Sequence, residues 1–226
     1  MRVPADRPTS LGNKNMEALL KLSRLIDALS ERVGRATAWL ILAAVLISAT
    51  NAIVRKAFNM SSNAFLEIQW YLFAAVFLLA AGYTLLRQEH VRIDIILGRF
   101  SKRTQITVEA VCLVVFLMPF CIAIIDLVWP LVVRAYNTGE MSSNAGGLIR
   151  WPVFALVPLG FSLLLLQGVS EFIKRIAFLQ GLIDDPTKKK QTKTAEEELA
   201  EFVRAQAEVA AAAATAAAAK LGGATK

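Results

Sequence analysis

Four long apolar runs divide the chain, at about residues 37–54, 64–86, 106–133 and 151–173. Each can cross a hydrocarbon core of about 30 Å as a helix rising ~1.5 Å per residue. The first run is short and carries Ser48, Thr50 and Asn51, polar groups suited to facing other helices. The third reaches about 42 Å, so it must tilt, kink or protrude, and Pro119 and Pro130 offer kinks. Glu67, Gln69, Trp70 and Tyr71 open the second run, and Trp151-Pro152 opens the fourth. Trp and Tyr favour a membrane interface, and Pro fits a first helical turn. Ala74 and Ala81, like Ala75 and Gly82, stand seven apart and make a small-residue face for close helix packing. The pattern therefore predicts an all-α integral membrane protein with four transmembrane helices.

Other periods fill the intervals. Leu19, Leu22, Ile26, Leu29 and Val33 recur every three or four positions, opposite Lys21, Arg24, Asp27, Glu31 and Arg32. This predicts an amphipathic helix over 14–35 that rests on the membrane interface; the alternative is a soluble helix packed on a partner. Between the second and third runs, charge alternates with bulky aliphatics from Arg87 to Leu97. That alternation predicts a membrane-parallel arm over 87–104, bent where Asp94 caps a short helix, with His90 and Asp94 holding the corner. Residues 1–13 read as disordered. Residues 36–178 make the membrane domain, and 179–226 a charged, Ala-rich tail with a marginal helix near 196–221.

Composition agrees. Of 226 residues, 56% are hydrophobic and mean hydropathy is +0.51, against about 45–50% apolar for soluble domains. A soluble helical domain would need four unusually long apolar helices around one small core. The net charge of +7 is spread at the ends of the apolar runs, which marks topology rather than nucleic acid. Lys and Arg number eighteen over the N-terminal segment, the 87–104 arm and residues 174–193, against four in the other two loops. The positive-inside rule then predicts N-in/C-in topology, with both termini and the arm cytoplasmic. The N-terminus does not read as a cleavable signal, since a long polar stretch precedes the first apolar run.

Little catalytic chemistry is legible. Cys112 and Cys121 fall on opposite helix faces, nine residues apart, and read as small apolar side chains. No phosphate-binding loop, nucleophile elbow or metal-ligand spacing appears, and His90 has no partner acid, nucleophile or metal set. Asp126 is the one acid well inside an apolar run. It is either an ion or proton ligand or a hydrogen-bonding group at an interface. The residues alone thus leave three readings: an accessory membrane subunit, a self-sufficient small transporter or channel using Asp126, and an assembly or signalling protein recruited through its tail. None is an enzyme.

The stretch Glu67-Ile68-Gln69-Trp70-Tyr71-Leu72-Phe73, then Gly82-Tyr83 and Glu89-His90-Val91-Arg92-Ile93-Asp94, resembles the DctQ family, the small membrane subunit of TRAP transporters. Residues 139–152 and the stretch Leu166-Gln167-Gly168-Val169-Ser170-Glu171 look like its mannitol/chloroaromatic branch, also associated with 2-oxo acids. The resemblance covers about residues 20–180. It implies a tripartite system in the bacterial inner membrane for sodium-coupled organic-acid uptake. A periplasmic binding protein captures substrate, and a large permease subunit carries the substrate and sodium sites and moves as an elevator. The small subunit, with no cofactor of its own, braces the large one and helps dock the binding protein. The expected contacts with these partners are Glu67, Gln69, Trp70, Ala74, Ala81, Gly82, His90, Arg92, Asp94, Glu140, Asn144, Arg150 and Trp151. Membrane lipid is the remaining expected partner.

Overall fold

The computed structural model describes residues 10–58, 63–88 and 100–183. The expected corner at His90, Arg92 and Asp94, residues 1–9 of the start expected to be disordered over 1–13, and the tail beyond 183 lie outside the described residues, while residues 10–13 belong to α1. Four helices account for most of the rest: α1 (Ser10–Phe58), α2 (Asn63–Leu86), α3 (Lys102–Thr138) and α4 (Trp151–Leu179). All four are long and apolar enough to cross a membrane.

The first difference from the sequence reading is α1. Residues expected as two elements, a surface helix and a span, form one helix of 49 residues. No proline or turn sequence separates Val33 from Thr37; only Gly34 intervenes, at a cost of about 1 kcal/mol that tertiary packing can override. The expected apolar stripe stays largely outside the bundle, with Ile26 buried and Val33 half-buried. Leu19, Leu22 and Leu29 are exposed, and Leu25 is 70% exposed. Met16, Ser23, Ile26, Ser30, Thr37 and Ala44 are buried instead. The helix therefore turns its small and polar side chains inward and its leucines outward. That is the arrangement lipid favours, because apolar burial gives no driving force between helices there, whereas close approach and hydrogen bonding do.

Helices α1 and α2 approach at Gly34, where a Cβ would lie 2.2 Å from Tyr83 Cγ. Helices α2 and α4 approach at Gly160, where a Cβ would meet Leu78 Cβ at 2.7 Å, and at Gly82, against the Leu163 carbonyl. Ala75 is buried on the same side of α2. Part of the expected small-residue face is thus spent inside this chain, on α4. Ala74 and Ala81 are half-buried.

Helix α3 passes both expected kink positions without breaking. Just ahead of Pro119 a π-helical turn spans Leu113–Leu117, and the Met118 N–H reaches back to the Leu113 carbonyl. Such a turn re-registers the ladder beside a residue that has no N–H to offer. Ser101 caps the start of α3, its Oγ accepting from the Thr104 N–H. Gly139, at φ +60°, closes the other end with its N–H turned to the Ala135 and Tyr136 carbonyls. This left-handed cap is where a residue without Cβ is needed. Cys112 is exposed and Cys121 buried, both as free thiols. Helix α4 packs against the other three, and among the described residues it supplies more buried ones than any other helix.

Candidate functional site

Two polar clusters occupy opposite ends of the bundle. At the first, the loop between α3 and α4 folds over the start of α2. It closes on itself through an antiparallel bridge between Met141 and Ile149. The Ser142 N–H donates to the Leu148 carbonyl at 2.9 Å, and the Arg150 N–H to the Glu140 carbonyl at 2.9 Å. Glu67, on the first turns of α2, points into this loop and is 3% exposed. Its carboxylate accepts from the Leu148 N–H at 2.6 Å, from Asn144 Nδ2 at 2.8 Å and from Ser142 Oγ. Charge-assisted bonds to a carboxylate are the strong kind. Glu67 therefore acts as the peg on which the loop hangs. Gly147 leaves room for it, since a Cβ there would overlap Ser142 and approach Glu67 Oε1 at 2.9 Å. Asn63 Nδ2 donates to the Ala145 carbonyl at 3.0 Å, and Tyr71 Oη to that of Ile149 at 3.2 Å.

The charged loop residues form their own pair. Arg150 Nη1 meets Glu140 Oε1 at 3.0 Å and its guanidinium lies over Phe154. Arg134 stands 4.0 Å from the other Glu140 oxygen. Trp151 meets Tyr136 edge to face, with centroids 5.5 Å apart. Around these supports the loop presents Met141, Ser143, Asn144 and Ile149 outward, while Trp70 on α2 is 61% exposed. Gln69 is half-buried beside it in the chain.

The second cluster joins the N-terminal half of α1 to the last turns of α4. Ser30 Oγ donates to Gln167 Oε1 at 2.7 Å. Ser23 and Ser170 share a hydroxyl–hydroxyl bond of 2.7 Å. Asp27 accepts from Ser170 Oγ at 2.6 Å and Gln167 Nε2 at 3.0 Å, and pairs with Lys174 at 3.2 Å. Glu171, 1% exposed, is held by Lys174 and by Arg175 Nη1 at 2.6 Å. Arg175 reaches on to Glu109 of α3 at 3.0 Å. Gln88, in a left-handed conformation at φ 57° just past α2, donates to Glu171 Oε2 at 3.0 Å. Arg87 pairs with Glu31. All four helices are tied at this end. Each buried charge has an opposite charge and further hydrogen bonds, the condition under which a buried ion pair is tolerated.

None of the ten expected contact residues that are described lies in this second cluster. The signal was present in the sequence: Gln167, Ser170, Glu171, Lys174 and Arg175 recur at helical spacing on one face of α4, as do Ser23, Asp27 and Ser30 on α1. At the first cluster the structure brings Glu67, Asn144, Glu140, Arg150 and Trp151 together. Two of the expected contacts are turned inward: Glu67 is a buried support in this cluster, and Gly82, away from it, faces α4 rather than a free surface.

Asp126 belongs to neither cluster. It is exposed on α3 and takes no hydrogen bond or ion pair from the described residues.

The sequence model of one family matches residues 44–178; its description is "Tripartite ATP-independent periplasmic transporters, DctQ component". The matched stretch contains α2, α3, α4 and the loop pinned by Glu67, and it starts inside α1, so Ser23, Asp27 and Ser30 precede it. Neither the curated proteins nor the solved structures yield a match.

Proposed function

The chain belongs to the DctQ component family of tripartite ATP-independent periplasmic transporters, and from that membership we propose that it is the stationary brace of such a transporter. The family makes it a small permease subunit, a multi-pass membrane protein and a transporter component rather than a member of a known enzyme family. The finer reading is ours. The chain braces a large permease subunit that moves sodium and an organic acid, and it helps dock the periplasmic binding protein. Sodium is held by the large subunit. The resemblance to the mannitol/chloroaromatic branch supports an organic-acid substrate, 2-oxo acids included.

The observation that carries the bracing role is the Asp27–Glu171–Arg175–Glu109 network. It ties α1, α3 and α4 at one end around the buried Glu171–Arg175 pair, and Gln88 at the end of α2 joins it through Glu171. A subunit that stays still while a neighbour slides needs that kind of internal fixing. The pinned loop at the opposite end is a preformed surface, with Asn144, Glu140 and Arg150 placed for contact with a soluble partner. The excess of Lys and Arg at the Glu171 end supports a cytoplasmic location for that end and for both termini, in the bacterial inner membrane. The Glu67 end then faces the periplasm.

Reconstitution tests the proposal. Liposomes holding this chain with the large permease subunit, supplied with the binding protein and a sodium gradient, are expected to accumulate the organic acid. Liposomes holding this chain alone are expected to accumulate none. Uptake by this chain alone would overturn the bracing role in favour of a self-sufficient transporter. Deleting 187–226 separates the remaining reading, in which the tail recruits a signalling or assembly partner: transport is expected to survive the deletion.

A further inference from the structure

Asp126 sits six residues from the midpoint of α3, and about twenty residues of that helix fit within a ~30 Å hydrocarbon layer centred there. The residue therefore lies at hydrocarbon depth, about 9 Å from the midplane. The hydrocarbon edge lies about 15 Å from the midplane, so Asp126 is about 6 Å below it, and the near end of the helix, Thr138, is twelve residues or roughly 18 Å further on. Exposed Tyr136, at the level of Trp151, marks the interface above it.

The side chain faces away from the bundle. Ile122, Ala123, Trp129, Pro130 and Val133 share its face, and all are exposed. No donor among the described residues serves its carboxylate. A second acceptor stands at the same position. Pro130 has no N–H, so the Asp126 carbonyl loses the donor that a residue four positions on would supply. Two oxygen acceptors thus stand on one apolar face below the hydrocarbon edge. Ala123, one turn away, lets a neighbouring backbone come close. An ionisable group left facing lipid costs several kcal/mol, and hydrocarbon offers no donor to offset it.

We propose that this face of α3 seats a transmembrane helix of the large permease subunit, and that a basic side chain of that helix pairs with Asp126. A cation carrying several N–H groups serves the carboxylate and the carbonyl together. The inference rests on the bracing role, and it narrows that role to one helix face. It also gives Asp126 a binding duty in place of ion conduction, since a ligand on the outside of the bundle lines no path through it.

The test is capture of the large subunit by the tagged full-length chain from co-expressing membranes. Asp126→Leu is expected to lower capture about fivefold to tenfold, the scale of one interhelical polar contact in a bilayer. Asp126→Asn, which keeps an acceptor but loses the charge, is expected to fall between. A photo-crosslinking residue at Ile122, with Asp126 intact, covers the case in which Asp126→Leu misfolds. It is expected to join a transmembrane segment of the large subunit that contains Lys or Arg. Equal capture by native and Asp126→Leu chains overturns the inference and leaves the bracing role standing. Crosslinks to lipid alone, or to a segment with no basic residue, overturn it likewise. Failure of the native chain to capture any large subunit overturns the bracing role itself, and the inference with it.

Discussion

Ser30 of α1 and Gln167 of α4, 137 positions apart in sequence, are joined side chain to side chain at 2.7 Å with both residues buried. The contact sits where a soluble helix would put leucine against leucine. Its removal tests whether polar groups hold this bundle. Ser30→Ala is expected to destabilise the chain by about 0.5–1.5 kcal/mol, the net worth of one such bond. Ser30→Leu is expected to cost about 1–3 kcal/mol by overpacking, although leucine is the more apolar residue. Unfolding in mild detergent, followed by tryptophan fluorescence, reads both. A stabilised Ser30→Leu chain would show that α1 and α4 are not packed this way.

The ion network makes a larger demand. Glu171→Ala takes a carboxylate from buried Arg175 and half-buried Lys174, and is expected to cost about 3–5 kcal/mol. A double-mutant cycle with Arg175→Met separates the pair from its surroundings. The double variant is expected to be more stable than Glu171→Ala alone, because it no longer buries a guanidinium that has lost one of its two carboxylates and keeps Glu109. Additive losses would mean that the two charges do not interact.

At the other end, Glu67→Ala removes the acceptor for three donors. The loop from Gly139 to Arg150 is expected to open while the four helices stay folded. Hydrogen exchange at the Leu148 amide should quicken by about tenfold to a hundredfold, corresponding to roughly 1.4–2.8 kcal/mol of lost local protection. Exchange in the middle of α2 should not change. Under the proposed function, binding-protein docking weakens in the same variant, which a pull-down with purified binding protein measures.

Close approach at Gly34 gives a steric prediction. Gly34→Ala puts a methyl into the Tyr83 ring and is expected to cost about 1–3 kcal/mol. In a Tyr83→Ala background the same change should cost far less, and a few tenths of a kcal/mol can be recovered because alanine favours helix over glycine. Thermal midpoints of the four chains complete the cycle. Equal costs in both backgrounds would place the clash elsewhere.

These cases also show what the sequence makes legible. The four helices are readable because each apolar run is longer than any ordinary buried helix and ends in charge or aromatic residues. The packing face of α1 is not. Its leucines recur at helical spacing and mark the face left outside the bundle, but nothing in that stripe announces that Ser23 and Ser30 are buried against α4. The Glu67 peg is hidden for a different reason. Its partners lie 75 to 81 positions away, and nothing local to Glu67 announces them. Its position near a run end suggested a contact with a partner, whereas the loop of this chain desolvates it and supplies the donors. Asp126 was legible as an oddity; its direction, away from the bundle, needed the helix packing.

The unbroken α1 also has a mechanical consequence. A helix without a hinge is a lever, and the network at Ser23, Asp27 and Ser30 clamps one arm of it. Phe58 lies 24 residues past Gly34, an arm of about 36 Å. A tilt of about 5° at Gly34 would therefore swing Phe58 through roughly 3 Å. The clamp at one membrane face thus sets how far the helix tip can wander at the other.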